Sequence, residues 1–270
     1  MLVGREWMLA ALLLTAPMTA AAGNVITDWD EKAVSTLQTG TVPPPPTAFR
    51  TMAILHVAMF DAVNSIEPRY KPYKTRLSAT PDTSKEAAAT AAAAAVLIKL
   101  VPNAAADVQS TLTNYLATVP DGEPKSKGVQ LGQEVAAKIL ETREKDGASA
   151  ADAYRPKTKP GVYIPTPITV GWQFTTMPPF ALTSPSQFRA KPPPSLKSAE
   201  WARDYNEIKE LGAKNSTKRT ARQTENARFW LLVGPLAYNP LPRQIVIAKN
   251  MDLLDSARFM RSSRWQRSTR

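Results

Sequence analysis

The chain has 270 residues, 43% of them apolar, with 24 Pro, 11 Gly, one His and no Cys. That length and apolar content support a sizeable core and exclude collagen and disorder throughout. Without Cys there are no disulfides, thiolate nucleophiles or Cys-ligated metals, and the single His, His56, excludes any site built on two imidazoles. Thirty-four Lys and Arg against 23 Asp and Glu give a net charge of +11, which favours anionic partners or surfaces and says nothing about fold.

Residues 1–23 read as a secretory signal peptide: Arg5, an apolar run over 7–16, Pro17, then Thr19, Ala20, Ala21 and Ala22 as small residues for cleavage. The run is shorter than the ~20 residues of a spanning helix, and no later segment could span a bilayer, so a periplasmic or secreted location is expected. Residues 24–39 predict a short helix with Asp28 as cap and Trp29 as anchor, ended by Gly40 and a rigid Pro43-Pro44-Pro45-Pro46 segment. Over 47–66, Phe49, Met52, Ala53, His56, Phe60 and Val63 recur at steps of three and four, so one buried stripe of a helix is expected, stopped by Pro68.

A basic, aromatic loop (Arg69, Tyr70, Lys71, Tyr73, Lys74, Arg76) leads to Thr83 and Glu86, read as a capping box for an alanine-rich helix reaching Val101. Asn103 is expected to cap a helix to Val119. Pro120-Asp121-Gly122 turns the chain into another helix over 126–145, closed by Gly147, whose Gly128 and Gly132 mark a close helix contact. These elements make an N-terminal helical region over 24–147.

Residues 148–196 are rich in Pro and lack apolar periodicity, so a long irregular loop is expected, its aromatics (Tyr154, Tyr163, Trp172, Phe174, Phe180, Phe188) wrapping across the bundle. A second helical region covers 197–260. Ser198 caps a helix to Leu211 with Gly212 behind it, Thr220 with Gln223 boxes a helix to Val233 ended by Gly234 and Pro235, and helices follow over 241–250 and 251–260. Residues 261–270 form an Arg- and Ser-rich basic tail. With no alternating strand pattern, the fold class is all-α: a helical bundle with a long Pro-rich segment.

Phosphate loops, dinucleotide fingerprints, the Gly-x-Ser-x-Gly elbow and the His-Glu-x-x-His motif are absent. On the apolar stripe of its helix, His56 reads as a core histidine bonding Asp61, Asn64 or a later loop. Asp28 and Asp30, and the face with Glu200, Asp204 and Glu207, are candidate paired acids or hard-cation ligands; basic neighbours make solvated faces the preferred reading. Between 189 and 228 ten basic residues face five acidic ones, and Lys214-Asn215-Ser216-Thr217-Lys218-Arg219-Thr220 reads as an anion seat before a helix start. No reading helix, base-stacking motif or zinc knuckle accompanies it, so no nucleic acid is expected.

Two segments together carry a resemblance. The first has Asp28-Trp29, Phe49-Arg50, the run from Ile54 to Ile66 (Ile-Leu-His-Val-Ala-Met-Phe-Asp-Ala-Val-Asn-Ser-Ile), and Tyr70-Lys71-Pro72-Tyr73. The second has Phe188-Arg189, Pro192-Pro193-Pro194, Ser198-Ala199-Glu200, Asp204-Tyr205-Asn206-Glu207, Lys209, Leu211-Gly212, Arg219-Thr220, Gln223-Thr224 and Ala227-Arg228-Phe229-Trp230. In this order they resemble the bacterial exported branch of the vanadium-dependent haloperoxidase and type 2 phosphatidic acid phosphatase superfamily, over most of residues 24–260. The resemblance implies an all-helical bundle around a tetrahedral oxyanion: vanadate in the peroxidases, substrate phosphate in the phosphatases. A Lys and two Arg neutralise it, a Ser-Gly-His segment supplies donors and an acid-base His, and a last His bonds the central atom.

The sequence departs from that pattern at its chemistry. The family's site opens with Lys-x6-Arg-Pro; the only Arg-Pro here is Arg155-Pro156, preceded at the Lys position by Ala148, and there is no Ser-Gly-His. No catalytic, cofactor-binding or metal-binding residue carries over, so no cofactor is expected in this chain, vanadate and a small oxyanion or halide substrate belonging to intact relatives. In such relatives the site helices follow the region of 251–260, so an incomplete bundle with uncovered apolar stripes is expected, and 261–270 read as out-of-frame sequence, the alternative being a natural basic tail. A second functional expectation is a non-catalytic exported helical protein that holds an anionic polymer or envelope surface through its basic segments.

Overall fold

The computed structural model describes residues 23–39, 45–151, 153–155, 157–165, 169, 171–231 and 238–268; of the expected signal peptide over 1–23, residues 1–22 lie outside them. Among the described residues the chain is helical and contains no strand. Helix α1 (Val25–Gln38) starts at Asn24, whose side chain accepts from Ile26 N (3.1 Å) while Thr27 Oγ1 accepts from Asn24 N (2.8 Å). This reciprocal box corrects the expectation of Asp28 as cap, because the chain enters the helix one turn earlier.

Helix α2 (Pro45–Ile66) begins inside the proline run. Pro45 and Pro46 do not hold a rigid spacer but occupy its first turn, where a missing N–H costs nothing; Gly40, Pro43 and Pro44 lie outside the described residues. From Thr51 to Ile66 every residue of α2 is buried, so the expected stripe is a central helix enclosed on all sides. Its neighbours are α1, α3 (Lys85–Leu100), α5 (Glu123–Arg143) and the last helix, α9 (Leu253–Ser268).

Helix α3 is capped by Ser84, whose Oγ accepts from Ala87 N at 3.1 Å, and not by Thr83, which pairs with the Thr80 hydroxyl at 3.2 Å. Its alanines bring α5 close to the backbone of α3. A Cβ built on Gly128 would lie 2.5 Å from Ser84 O and 2.9 Å from Ala87 Cβ, and one on Gly132 would collide with Ala88 O and approach Ala92 N to 2.9 Å. The two glycines mark the close contact expected of them. Between α3 and α5, a 3-10 turn (Pro102–Ala104) precedes α4 (Ala105–Ala117), and Asn103 sits within that turn without capping the helix.

In the Pro-rich segment, a 3-10 turn spans Trp172–Thr175, and Met177 and Phe180 reach the core. Phe180 packs near Tyr73, with ring centroids 6.3 Å apart, and lies under the Arg143 guanidinium at 3.7 Å; Arg143 also donates to Pro178 O at 2.7 Å. The expected wrapping therefore reduces to the stretch 174–180, where Phe174 too packs against the core. Tyr163, Trp172 and Phe188 are exposed, and Tyr154 meets Trp172 (4.6 Å) and Tyr163 (6.5 Å) in a local aromatic cluster of this segment's own.

Ser198 starts α6 (Ala199–Leu211), and Thr220 with Gln223 boxes α7 (Ala221–Phe229), both as the residues dictate; α7 ends at Phe229 with Trp230 as its cap, short of the expected Val233, and Gly234 lies outside the described residues. Neither helix buries a residue. After α8 (Pro240–Ala248), Asn250 adopts φ 44°, a left-handed turn that Asn tolerates, and redirects the chain into α9. The loss of apolar periodicity after Met260 does not break α9: it continues to Ser268, with Arg261 buried and its guanidinium 3.8 Å from the Phe60 ring centroid. No helix among the described residues is long and apolar enough to cross a membrane.

The α3–α5 contact yields a test. Gly132→Ala is expected to lower stability by about 1–3 kcal/mol despite the better helix propensity of Ala, because the new methyl meets main chain that cannot move aside. Urea denaturation of the two proteins measures it.

Candidate functional site

The one imidazole is the natural starting point for chemistry, and it is closed off. His56 on α2 and Asp30 on α1 are both completely buried, and His56 Nε2 lies 2.8 Å from Asp30 Oδ1. A carboxylate only accepts, so Nε2 carries the proton of this bond. Arg243 from α8 donates through Nη1 to Asp30 Oδ2 at 3.1 Å, so two donors on different helices converge on one carboxyl group. His56 is the core histidine expected, with Asp30 as its partner in place of Asp61 or Asn64. Asp30 itself corrects the reading of a solvated face: Lys32, its basic neighbour in sequence, pairs with Asp107 at 2.6 Å instead.

Asp61, one turn beyond His56, organises the basic, aromatic loop. Its carboxylate accepts from the backbone N–H of Tyr73 (2.7 Å), Lys74 (2.9 Å) and Thr75 (3.0 Å). Burial pushes this carboxyl above the usual carboxylate range, opposed by the three N–H donors and by the charge of Arg261. Burial in turn pulls the Arg261 guanidinium below its usual value, with Asp61 pushing back.

A third polar group lines the mouth of a groove of about 640 Å³ between α2, α3 and α5, whose apolar floor includes Leu100, Ala137 and Leu140. Its two arginines are already committed, and Lys99 completes the cations of the lining. Arg50 donates to Asp146 Oδ2 at 2.8 Å and to Arg143 O at 2.8 Å, and Arg143 is held by Tyr73 Oη (2.8 Å) and Pro178 O. Glu141 and Glu144 on the rim add negative charge.

Within the expected anion seat, Arg219 is likewise spent on structure. Arg219 donates through Nη1 to Leu211 O (2.7 Å) and Ala213 O (3.2 Å), through Nη2 to Lys214 O (3.3 Å) and through Nε to Thr224 Oγ1 (3.0 Å). It closes the end of α6 and ties it to α7, whose first-turn Gln223 N–H is taken by Thr220 Oγ1 at 3.2 Å. Glu200, Glu207 and Asp204 remain on the solvated face expected of them, Arg203 pairing with Asp204 at 2.8 Å. Among the described residues no group of three or more His, Asp and Glu is placed to hold a metal ion.

No family model and no curated protein matches the sequence. Structural comparison finds the first bacterial vanadium-dependent iodoperoxidase, known from a crystal structure, at a TM-score of 0.74 and 19% sequence identity, covering 91% of this chain and 66% of that one. The two chains share a fold. This chain therefore has the all-helical haloperoxidase-like architecture that the residues of α2, α6 and α7 resemble, and it spans about two thirds of the length of that protein. Among the described residues the single His is hydrogen-bonded to Asp30, and Arg50, Arg143 and Arg219 are bonded to Asp146 and to main-chain carbonyls.

If the Asp30 node is a structural tie, Asp30→Asn is expected to cost about 3–5 kcal/mol of unfolding free energy, since it leaves buried donors from α2 and α8 facing a neutral amide. Asp28→Asn, on the exposed side of the same helix, is expected to change stability by about 1 kcal/mol or less. Paired denaturation curves compare them.

Proposed function

We propose that these 270 residues form an exported, non-catalytic scaffold region of a haloperoxidase-like protein, turning over neither halide nor phosphate ester by themselves. One observation carries the reading: the chain's only imidazole is fully buried and hydrogen-bonded to Asp30. Peroxide activation and in-line phosphoryl transfer on such a site both require a proton carrier in contact with the bound oxyanion, and a sealed ring contacts nothing from outside. The missing Lys-x6-Arg-Pro and Ser-Gly-His patterns and the commitment of Arg50, Arg143 and Arg219 point the same way.

Purified protein is expected to oxidise neither bromide nor iodide when given vanadate and hydrogen peroxide, to hydrolyse no aryl phosphate, and to retain no vanadate in equilibrium dialysis. Turnover that disappears on Arg50→Ala or on another substitution within this chain overturns the proposal.

Export belongs to the same reading. Asn24 caps α1 and donates through Nδ2 to Ser256 Oγ at 2.9 Å, so a tertiary contact stands two residues after the small residues Ala20, Ala21 and Ala22. Cleavage in the bacterial envelope is expected to leave a mature N-terminus at Gly23 or Asn24. Intact-mass measurement of protein recovered from the periplasm checks this, and a mass retaining residues 1–22 contradicts it.

A further inference from the structure

The α6–α7 hairpin leaves unused both apolar surface and charge. Trp201, Tyr205 and Ile208 share one face of α6, the two aromatic rings stacked with centroids 5.0 Å apart, and Ile208 is 71% exposed. At the end of α7, Phe229 meets Trp230 edge-on at 5.1 Å, and Phe229 and Leu231 are 62% and 74% exposed. Large side chains in this density, on two helices that bury nothing, mark a contact surface.

Its charges identify the occupant. Helix α6 carries Glu200, Asp204, Glu207 and Glu210 against Arg203 and Lys209, whereas the loop and α7 carry Lys214, Lys218, Arg219, Arg222 and Arg228 against Glu225. The two arms do not neutralise each other: among the described residues the only ion pair in either is Arg203 with Asp204, within α6. Arg219 is hydrogen-bonded to the end of α6 and to the first turn of α7. A surface with an acidic half and a basic half flanking exposed aromatics is complementary to itself under a two-fold rotation, which sets each acidic arm on a basic one.

We propose that the α6–α7 hairpin is the docking surface for a second copy of this chain, the acidic α6 of each copy lying against the basic α7 of the other and the stripes of Tyr205, Ile208, Phe229 and Trp230 buried between them. The inference does not depend on whether the chain is catalytic, and its test reads association alone.

Sedimentation velocity on the full chain is expected to show a dimer that weakens with ionic strength. Glu207→Lys with Glu210→Lys makes both arms basic; Arg222→Glu with Arg228→Glu turns helix α7 itself acidic, so that it meets an acidic α6. Each double variant alone is expected to self-associate about tenfold more weakly or worse, while an equimolar mixture of the two restores the dimer as a heterodimer. All positions are exposed, so circular dichroism should report unchanged helix content, and Ile208→Asp supplies a second disruption that leaves the charges of both arms in place. The proposal is overturned by a monomer at all concentrations, or by association indifferent to the charge reversals, as the apolar N-terminal run would give. It is overturned equally by a basic arm that binds anionic vesicles without self-association, or by a mixture no stronger than its components.

Discussion

A helix buried on every side must satisfy each of its polar side chains inside the protein, and α2 carries several. His56 is tied to Asp30 and, through it, to Arg243, which joins α1, α2 and α8. Asp61 takes three consecutive N–H groups from the 69–77 loop, Asn64 exchanges bonds with the backbone of Tyr70 (2.8 and 3.0 Å), and Ser65 Oγ accepts from Leu77 N (3.1 Å). The basic, aromatic loop is thus templated on the polar edge of the central helix. The alanines of α3 and the glycines of α5 serve the same enclosure, since only small side chains let those helices approach closely.

That enclosure also decides what chemistry is possible. A titratable ring at the centre of the core is an organising group, and the one guanidinium of the expected anion seat, that of Arg219, is occupied with carbonyl oxygens. Arg143 holds the anchored stretch of the Pro-rich segment, and Arg219 holds the α6–α7 junction. Likeness of architecture to a peroxidase does not by itself carry that protein's site.

What was readable in the residues was local. Ser198, Thr220 with Gln223, and Gly128 with Gly132 act over a single turn or by their lack of a side chain, and each does what its type dictates. Asn24 was missed in favour of Asp28, and Ser84 in favour of Thr83, because caps are chosen among adjacent acceptors by the exact path of the chain. Asp30 left a signal that could have been used. Ile26, Asp30, Ala33 and Leu37 lie at helical spacing, which puts the carboxyl on the apolar face of α1, yet only a partner on another helix explains why it is there.

The sequence by itself determined an all-helical chain, the places where several helices start, the close α3–α5 contact, and the lack of a second imidazole and of any thiol. These follow from residue types and spacings a few positions apart. Tertiary structure alone decided that α2 is central and not amphipathic, that His56 pairs with a residue 26 positions away, that Arg261 is a core residue, and that the aromatics of α6 and α7 face outward. Such outcomes depend on which distant segments meet and on the desolvation each meeting imposes, and no local pattern carries that information.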